Sequence, residues 1–371
     1  TEVGPAGARP RGRPSLALVA HPEGPLVGAL EISHAGWRVA AVELGGAAVD
    51  STAGRHARRD ATAVVAETRA ALRQLHRARG GRIRALAVSV PGTVVADRVV
   101  LAATLGWRDV GLGAVVPRGL SGVPLLVGND ATLAGLAEAR RGVASGVARA
   151  LYLTVGVGLG GVELVDGRPV AGATGGAGEF GHMPFGDPGR RCPCGATGCW
   201  DLEVDGRAMA RSLGRRAPRD PLRFAQIVVE AARGGRRAET LAVTRAARAL
   251  GRGTGALVNA LDPELVVYGG LGADLLGLSP RVLRDAYRGA LMRHRRRTPP
   301  TLCVGTTGEH GSLVGASEAA FDAFFTTDGL EGWDRALAQP APTSSPSSRQ
   351  THPSSSQVTV SVVDRAAPSS S

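Results

Sequence analysis

The chain contains no lysine. All 44 of its Lys-plus-Arg positions are arginine, set against 32 acids, for a formal net charge of +12. Isoleucine is nearly absent, while Ala, Gly, Val and Leu dominate. Lysine and isoleucine codons are AT-rich, so a GC-rich coding bias accounts for both shortages. That bias discounts the charge as a sign of nucleic-acid binding without removing it. No apolar run approaches the roughly 20 residues that span a bilayer, which excludes a membrane-crossing helix. The first residues lack the apolar core of a secretory signal. A soluble, cytoplasmic chain is expected, outside the oxidising compartments where disulfides persist. At 371 residues it can bury one large core or two of medium size.

Residues 178–203, GEFGHMPFGDPGRRCPCGATGCWDLE, hold three of the four cysteines, Cys192, Cys194 and Cys199. His182 stands ten residues before the first of them. One histidine and three cysteines make a closed Cys3His set. Structural zinc takes that donor number and softness in a tetrahedron. Gly195 and Gly198 lie between the ligands, where the backbone must fold sharply. The competing reading is a disulfide plus a spare thiol in a loop without function. A Cys-x-Cys pair is too close in sequence for an easy mutual disulfide, which disfavours it. Cys303, in the apolar stretch TLCVG, is expected to be a buried core thiol.

The rest of the chain reads as alternating strands and helices. Residues 1–25 are rich in Gly, Pro and Arg and form a linker. LVGALEIS, GWRVAAVEL and GAAVDS, between 26 and 53, alternate as strands. A helix over 60–79 places Ala63, Val64, Thr68, Leu72 and Leu75 on one face. A strand over 82–90 ends at Pro91-Gly92, and another over 124–130 ends on Asn129-Asp130. A helix follows over 131–144. By position alone Asn129-Asp130 is a helix N-cap. Residues 149–177 read strand, glycine turn, strand, glycine turn. Helices are predicted over 205–215, 220–234 and 237–261, then a strand over 263–270. A helical stretch broken at Pro280 follows, then strand TLCVG and a helix over 311–326. The run Arg293-His294-Arg295-Arg296-Arg297 reads as a solvated helix end, with a nucleic-acid patch as the alternative. The tail is Ser-, Pro- and Thr-rich and is expected to be disordered. Its QVTVSVV stretch alternates like a strand with no partner nearby. The strand pattern near 26–79 is loosely echoed from 149.

GEFGHM followed by CPCGATGCWD resembles the signature of the ROK family of bacterial sugar kinases and sugar-responsive repressors. Glu179, Gly181, His182, Cys192, Cys194, Gly195, Gly198 and Cys199 match. Asp201 stands where the family usually has Glu. NDATLAGLAEA, from Asn129, resembles a second family motif. The resemblance covers about residues 26–326. It implies an α/β, two-lobed actin-like ATPase (ribonuclease H-like) fold with an inserted structural zinc loop. The lobes would span 26–145 and 146–326, with a disordered tail over 327–371. Arg11-Gly12-Arg13-Pro14 resembles the end of a winged helix-turn-helix. This implies a DNA-binding module lying ahead of Thr1; a processed N-terminus is the alternative.

By the same resemblance Asn129, Asp130, Glu179, His182 and Asp201 hold a sugar. A desolvated hydroxyl left unpaired costs about 1–3 kcal/mol, so such a site needs planar polar groups. His182 would bind zinc through one ring nitrogen and face the sugar with the other. Asp130 corresponds to the kinases' general base and, in the repressors, to a group that holds the same hydroxyl. Three turns correspond to the nucleotide site. Glu31 begins the first, but Ser33 and His34 replace paired glycines, where bare amides should approach phosphate. Gly156, Gly158 and Gly160 form the second, where Val157 replaces a threonine and cannot donate. Gly269 and Gly270 form the third, beside the adenosine. Two altered phosphate turns favour a sugar-sensing regulator of the repressor type, paired as a homodimer. The alternative is a sugar kinase using ATP and Mg2+, and a weaker third reading is a sugar-binding scaffold.

Overall fold

The computed structural model describes residues 2–3, 17–18 and 21–338. The RGRP leader and the QVTVSVV stretch lie outside the described residues. Within the segment read as linker, β1 (Glu2–Val3) and β2 (Ala17–Leu18) pair antiparallel.

The first large sheet contains β3 (Leu26–Ile32), β4 (Gly36–Glu43), β5 (Ala48–Arg55), β6 (Ile83–Val90) and β10 (Leu125–Asn129). Its order is β10-β6-β3-β4-β5. Side chains alternate across the pleat, and both faces are covered. Leu30, Ile32, Val39, Leu86 and Val88 pack under α1 (Ala61–Ala78). Val27, Ala29, Ala40, Ala85 and Ala87 pack on the other face. Asp60 caps α1 by accepting from the Ala63 amide at 2.9 Å. Between β6 and β10 lies a small antiparallel sheet of β7 (Thr93–Val95), β8 (Arg98–Ala102) and β9 (Trp107–Gly111). Its strands are too short for an alternating pattern to register in sequence.

The second large sheet contains β11 (Arg149–Val155), β12 (Leu159–Val165), β13 (Arg168–Pro169), β14 (Leu265–Gly270) and β15 (Thr301–Val304). Its order, β13-β12-β11-β14-β15, repeats that of the first sheet strand for strand. One face is covered by α3 (Gly206–Ser212), α4 (Pro221–Arg233), α5 (Arg237–Leu261), α6 (Leu271–Leu278) and α7 (Pro280–Ala290). The other face meets α2 (Asp130–Arg141). Pro280 opens α7 at its first turn, where a missing amide hydrogen costs nothing. Arg296 donates to the carbonyls of Leu291 and Gly289 just past α7, so part of the basic run caps a helix end.

Two expected boundaries are corrected. The last helix of the family region, α8 (Gly311–Phe324), does not pack with the lobe assigned to 146–326. Its Leu313, Ala316, Ala320, Phe321 and Phe324 bury against the first sheet. The segment assigned to the tail begins with a helix, α9 (Thr327–Ala338). Its Trp333 packs against the same cluster under the Arg84 guanidinium, 4.7 Å from the ring centroid. Burial of one aromatic holds this short helix against the first sheet.

The register sets the site. Parallel pairing puts Glu31 opposite Ser89 and Val90 opposite Asn129, so three strands end level. In the second sheet Val155 lies opposite Gly270. Open α/β sheets hold ligands beyond the carboxyl ends of their parallel strands. Those ends carry Glu31, Gly92, Asn129, Asp130, the Gly156–Gly161 turn and Gly269-Gly270.

Candidate functional site

Asn129 ends β10 and caps α2. Its Oδ1 accepts from the amides of Ala131 (2.9 Å) and Thr132 (3.1 Å), and its Nδ2 donates to the Gly92 carbonyl at 2.9 Å. The amide is therefore largely spent on fixing two cleft segments. Asp130 is the first helical residue, and its Oδ1 accepts from the Ala131 amide at 2.9 Å. Burial pushes its carboxyl up to about 6. The Ala131 amide opposes this shift, and the Glu31 and Glu179 carboxylates add to it. Three acids thus converge on one cleft. Glu179 approaches from the second lobe, where Thr93 donates to its Oε1 at 2.6 Å. Thr93 was not singled out in the sequence; its only signal was a polar residue directly after the Pro-Gly turn.

His182, Cys192, Cys194 and Cys199 offer ligand atoms that all lie within 4.8 Å of one another. His182 Nδ1 is 3.8 Å from Cys192 Sγ, and Cys194 Sγ is 3.7 Å from Cys199 Sγ. A disulfide would require about 2.05 Å. Metal–sulfur bonds of about 2.3 Å in a tetrahedron set sulfur–sulfur edges of about 3.8 Å. The cluster can hold a metal ion. Burial, with the neighbouring thiols, pushes Cys199 up to about 12, and a cation is what would offset three crowded thiolates. His182 turns its other nitrogen outward, with Nε2 3.9 Å from Glu179 Oε2. Cys303 lies apart on β15, half-buried rather than fully buried as expected.

Asp201, expected to contact a sugar, has both carboxylate oxygens bonded within the protein. Its carboxylate lies beneath the Gly156–Gly161 turn, accepting from the Leu159 amide and pairing with Arg207 at 2.8 Å. Arg207 also donates to the Val157 carbonyl at 3.1 Å and pairs with buried Asp205. A Cβ on Gly158 would sit 2.3 Å from Asp201 Oδ1, so only glycine fits over this carboxylate. Asp201 follows the Cys199 ligand by two residues and joins the metal loop to the turn. Arg207 was missed because its Val157 carbonyl partner lies 50 residues upstream, and Asp205 because its part is to hold Arg207.

The turn from Glu31, expected to face a nucleotide, is tied by side-chain hydrogen bonds. Glu31 accepts from the Ser312 hydroxyl at the start of α8. Ser33 Oγ donates to the Gly36 carbonyl at 3.0 Å, and His34 Nδ1 donates to the Thr104 carbonyl at 3.1 Å. Gly269 and Gly270 end β14 as expected, with Gly270 leading into α6. Among the described residues no helix is long and apolar enough to cross a membrane.

Comparison with known proteins accounts for this architecture. The chain is 29% identical over 259 residues to a glucokinase of Streptomyces coelicolor, covering 65% of this chain and 81% of that enzyme. It is 30% identical over 204 residues to the xylose repressor of Caldicellulosiruptor bescii, covering 50% of each. The chain thus matches about half the length of that repressor. A Streptomyces griseus ROK family glucokinase, solved with glucose and AMPPNP, superposes with a TM-score of 0.69 at 25% identity. It covers 80% of this chain and 99% of that one. A ROK family transcriptional regulator, a homolog of the E. coli MLC protein, superposes with a TM-score of 0.73 at 22% identity. That match covers 87% of this chain and 85% of that one. The sequence profile of the ROK family matches residues 31–322, and with that span and this fold the chain belongs to the ROK family.

Proposed function

We propose that this chain is the sugar-binding effector domain of a transcriptional regulator of the repressor type. The observation that carries the reading is the engagement of Glu31. A magnesium–phosphate group at this turn needs a free acid and bare backbone amides. Here Ser312 donates to one Glu31 oxygen, and Ser33 and His34 stand in place of bare glycines, bonded to the Gly36 and Thr104 carbonyls. Asp130, Glu179 and His182 Nε2 remain to meet sugar hydroxyls, with Asn129 orienting the wall. Zn2+ held by His182, Cys192, Cys194 and Cys199 is structural, since four protein ligands leave no open position. It fixes the tautomer and the direction of the His182 ring. Asp201 acts at one remove, through the glycine turn. In this reading DNA is bound through a winged helix-turn-helix module, and the protein works as a homodimer in the cytoplasm.

A kinase reading keeps one observation of its own. A cleft carboxyl that ionises near 6 suits a general base acting on a sugar hydroxyl. The deciding experiment offers D-glucose, D-xylose and N-acetyl-D-glucosamine, each with Mg-ATP, and follows binding by calorimetry in the same samples. Binding without turnover supports the regulator. Turnover at the ordinary enzymatic rate of about 1 s-1 or more establishes the kinase instead.

A further inference from the structure

We propose that residues 172–178 are a lid over the cleft, and that the Thr93 hydroxyl is the latch that holds it shut. The proposal rests on the reading of Glu179 as a ligand-binding carboxylate. Thr93 belongs to the first lobe and Glu179 to the second, 86 residues apart in sequence. Their 2.6 Å hydrogen bond bridges the mouth of the cleft. The pocket that both side chains line, together with Gly92, Asn129, Thr132, Gly160 and the 175–178 segment, is about 30 Å3. Small-molecule sites hold roughly 300–1,000 Å3, so this pocket as it stands is too small for a sugar.

The segment itself is built to move. Its sequence from 175 is Gly-Gly-Ala-Gly, and residues 171–175 are exposed. Within 171–177 a single long backbone hydrogen bond, Ala177 amide to Ala171 carbonyl at 3.3 Å, ties it to itself. It rests on β7 with Gly176 beside Thr93 and Gly175 beside the Val94 carbonyl. Such a segment, exposed and poorly bonded, belongs to the low-stability end of a fold. The Thr93 hydroxyl donates to the same carboxylate that a sugar hydroxyl would seek. Latched and liganded states therefore compete, and each latched molecule lowers the apparent affinity.

Thr93→Val keeps the shape and removes the hydroxyl. Hydrogen–deuterium exchange on the full chain reads the lid without any ligand. The variant is expected to exchange residues 172–178 about five-fold faster, as loss of one modest hydrogen bond implies, with exchange in α5 unchanged. Equal or slower exchange overturns the latch. Titration with D-glucose and D-xylose is expected to show about five-fold tighter binding for Thr93→Val, with Thr93→Ser close to wild type. Weaker binding by Thr93→Val overturns the proposal by making the hydroxyl a ligand contact. Glu179→Gln separates the two ideas. Undiminished binding by that variant overturns the reading of Glu179, while the exchange result still judges the lid.

Discussion

Asp130 changes charge within reach of neutrality, and this has consequences of two signs. Its folded value of about 6 lies above the ordinary 3.8, so the folded chain holds this proton more tightly than the unfolded chain. The contribution to stability is fullest below about pH 4, declines as pH rises towards 6, and is flat above. A sugar hydroxyl donates best to the ionised form, so ligand affinity runs the other way. It is expected to rise by up to tenfold per pH unit to about pH 6 and then level off. Calorimetric titrations from pH 5 to 8 check this. Asp130→Asn should lose the pH step and bind roughly 10–100-fold more weakly, the value of a hydrogen bond to a charged group. Asp201 makes the second prediction at this scale. Its carboxylate is wedged under Gly158 and the Leu159 amide. Asp201→Glu restores the residue usual in the family but adds a methylene where there is no room. A loss of about 1–3 kcal/mol in denaturant unfolding is expected. Unchanged stability would mean that the glycine turn does not lean on this side chain.

At the scale of elements, the metal loop and α5 are coupled through Trp200. This ring is fully buried, donates to the Ala249 carbonyl at 3.0 Å, and meets Phe185 edge-on at 5.7 Å. A Cβ on Gly253 would lie 2.2 Å from the ring, so helix and loop touch backbone to aromatic. Gly253→Ala is expected to cost about 1–3 kcal/mol despite alanine's better helix propensity, and thermal melting reads the sign. Cys194→Ser removes one ligand. One zinc per chain should fall to none by elemental analysis, with a lower melting temperature and loss of sugar binding. Sugar affinity that survives metal loss unchanged would break the proposed link through His182.

For the whole molecule, Glu138 is the tie. This buried carboxylate on α2 accepts from the Thr307 amide (2.8 Å) and hydroxyl (2.7 Å), and from the Val143 amide at 3.1 Å. It joins the helix between the sheets to the turn from which α8 returns to the first sheet. Glu138→Ala leaves three half-buried donors without this partner. A loss of about 3 kcal/mol is expected, read as a fall of several degrees in melting temperature. A neutral result would show that the return of α8 is secured by its apolar face alone.

Much of this was legible in the chain itself. Helices over 61–78, 221–233 and 237–261 follow the apolar period, because that signal acts within one or two turns. The four metal ligands fall within 18 residues, so one loop can gather them and their spacing already names the donor set. Asn129 was legible as a cap for the same short-range reason. What only the tertiary structure decided lies between distant segments. Glu31 and Ser312 are 281 residues apart, Thr93 and Glu179 are 86 apart, and Leu159 and Asp201 are 42 apart. No period or motif encodes such pairs. They follow from the order in which two equivalent sheets close on each other and from the helix that crosses back between them. The sequence determined which chemistry is available at the strand ends; the packing of the lobes decided which acid is free, which is occupied and which carboxylate lies under the turn.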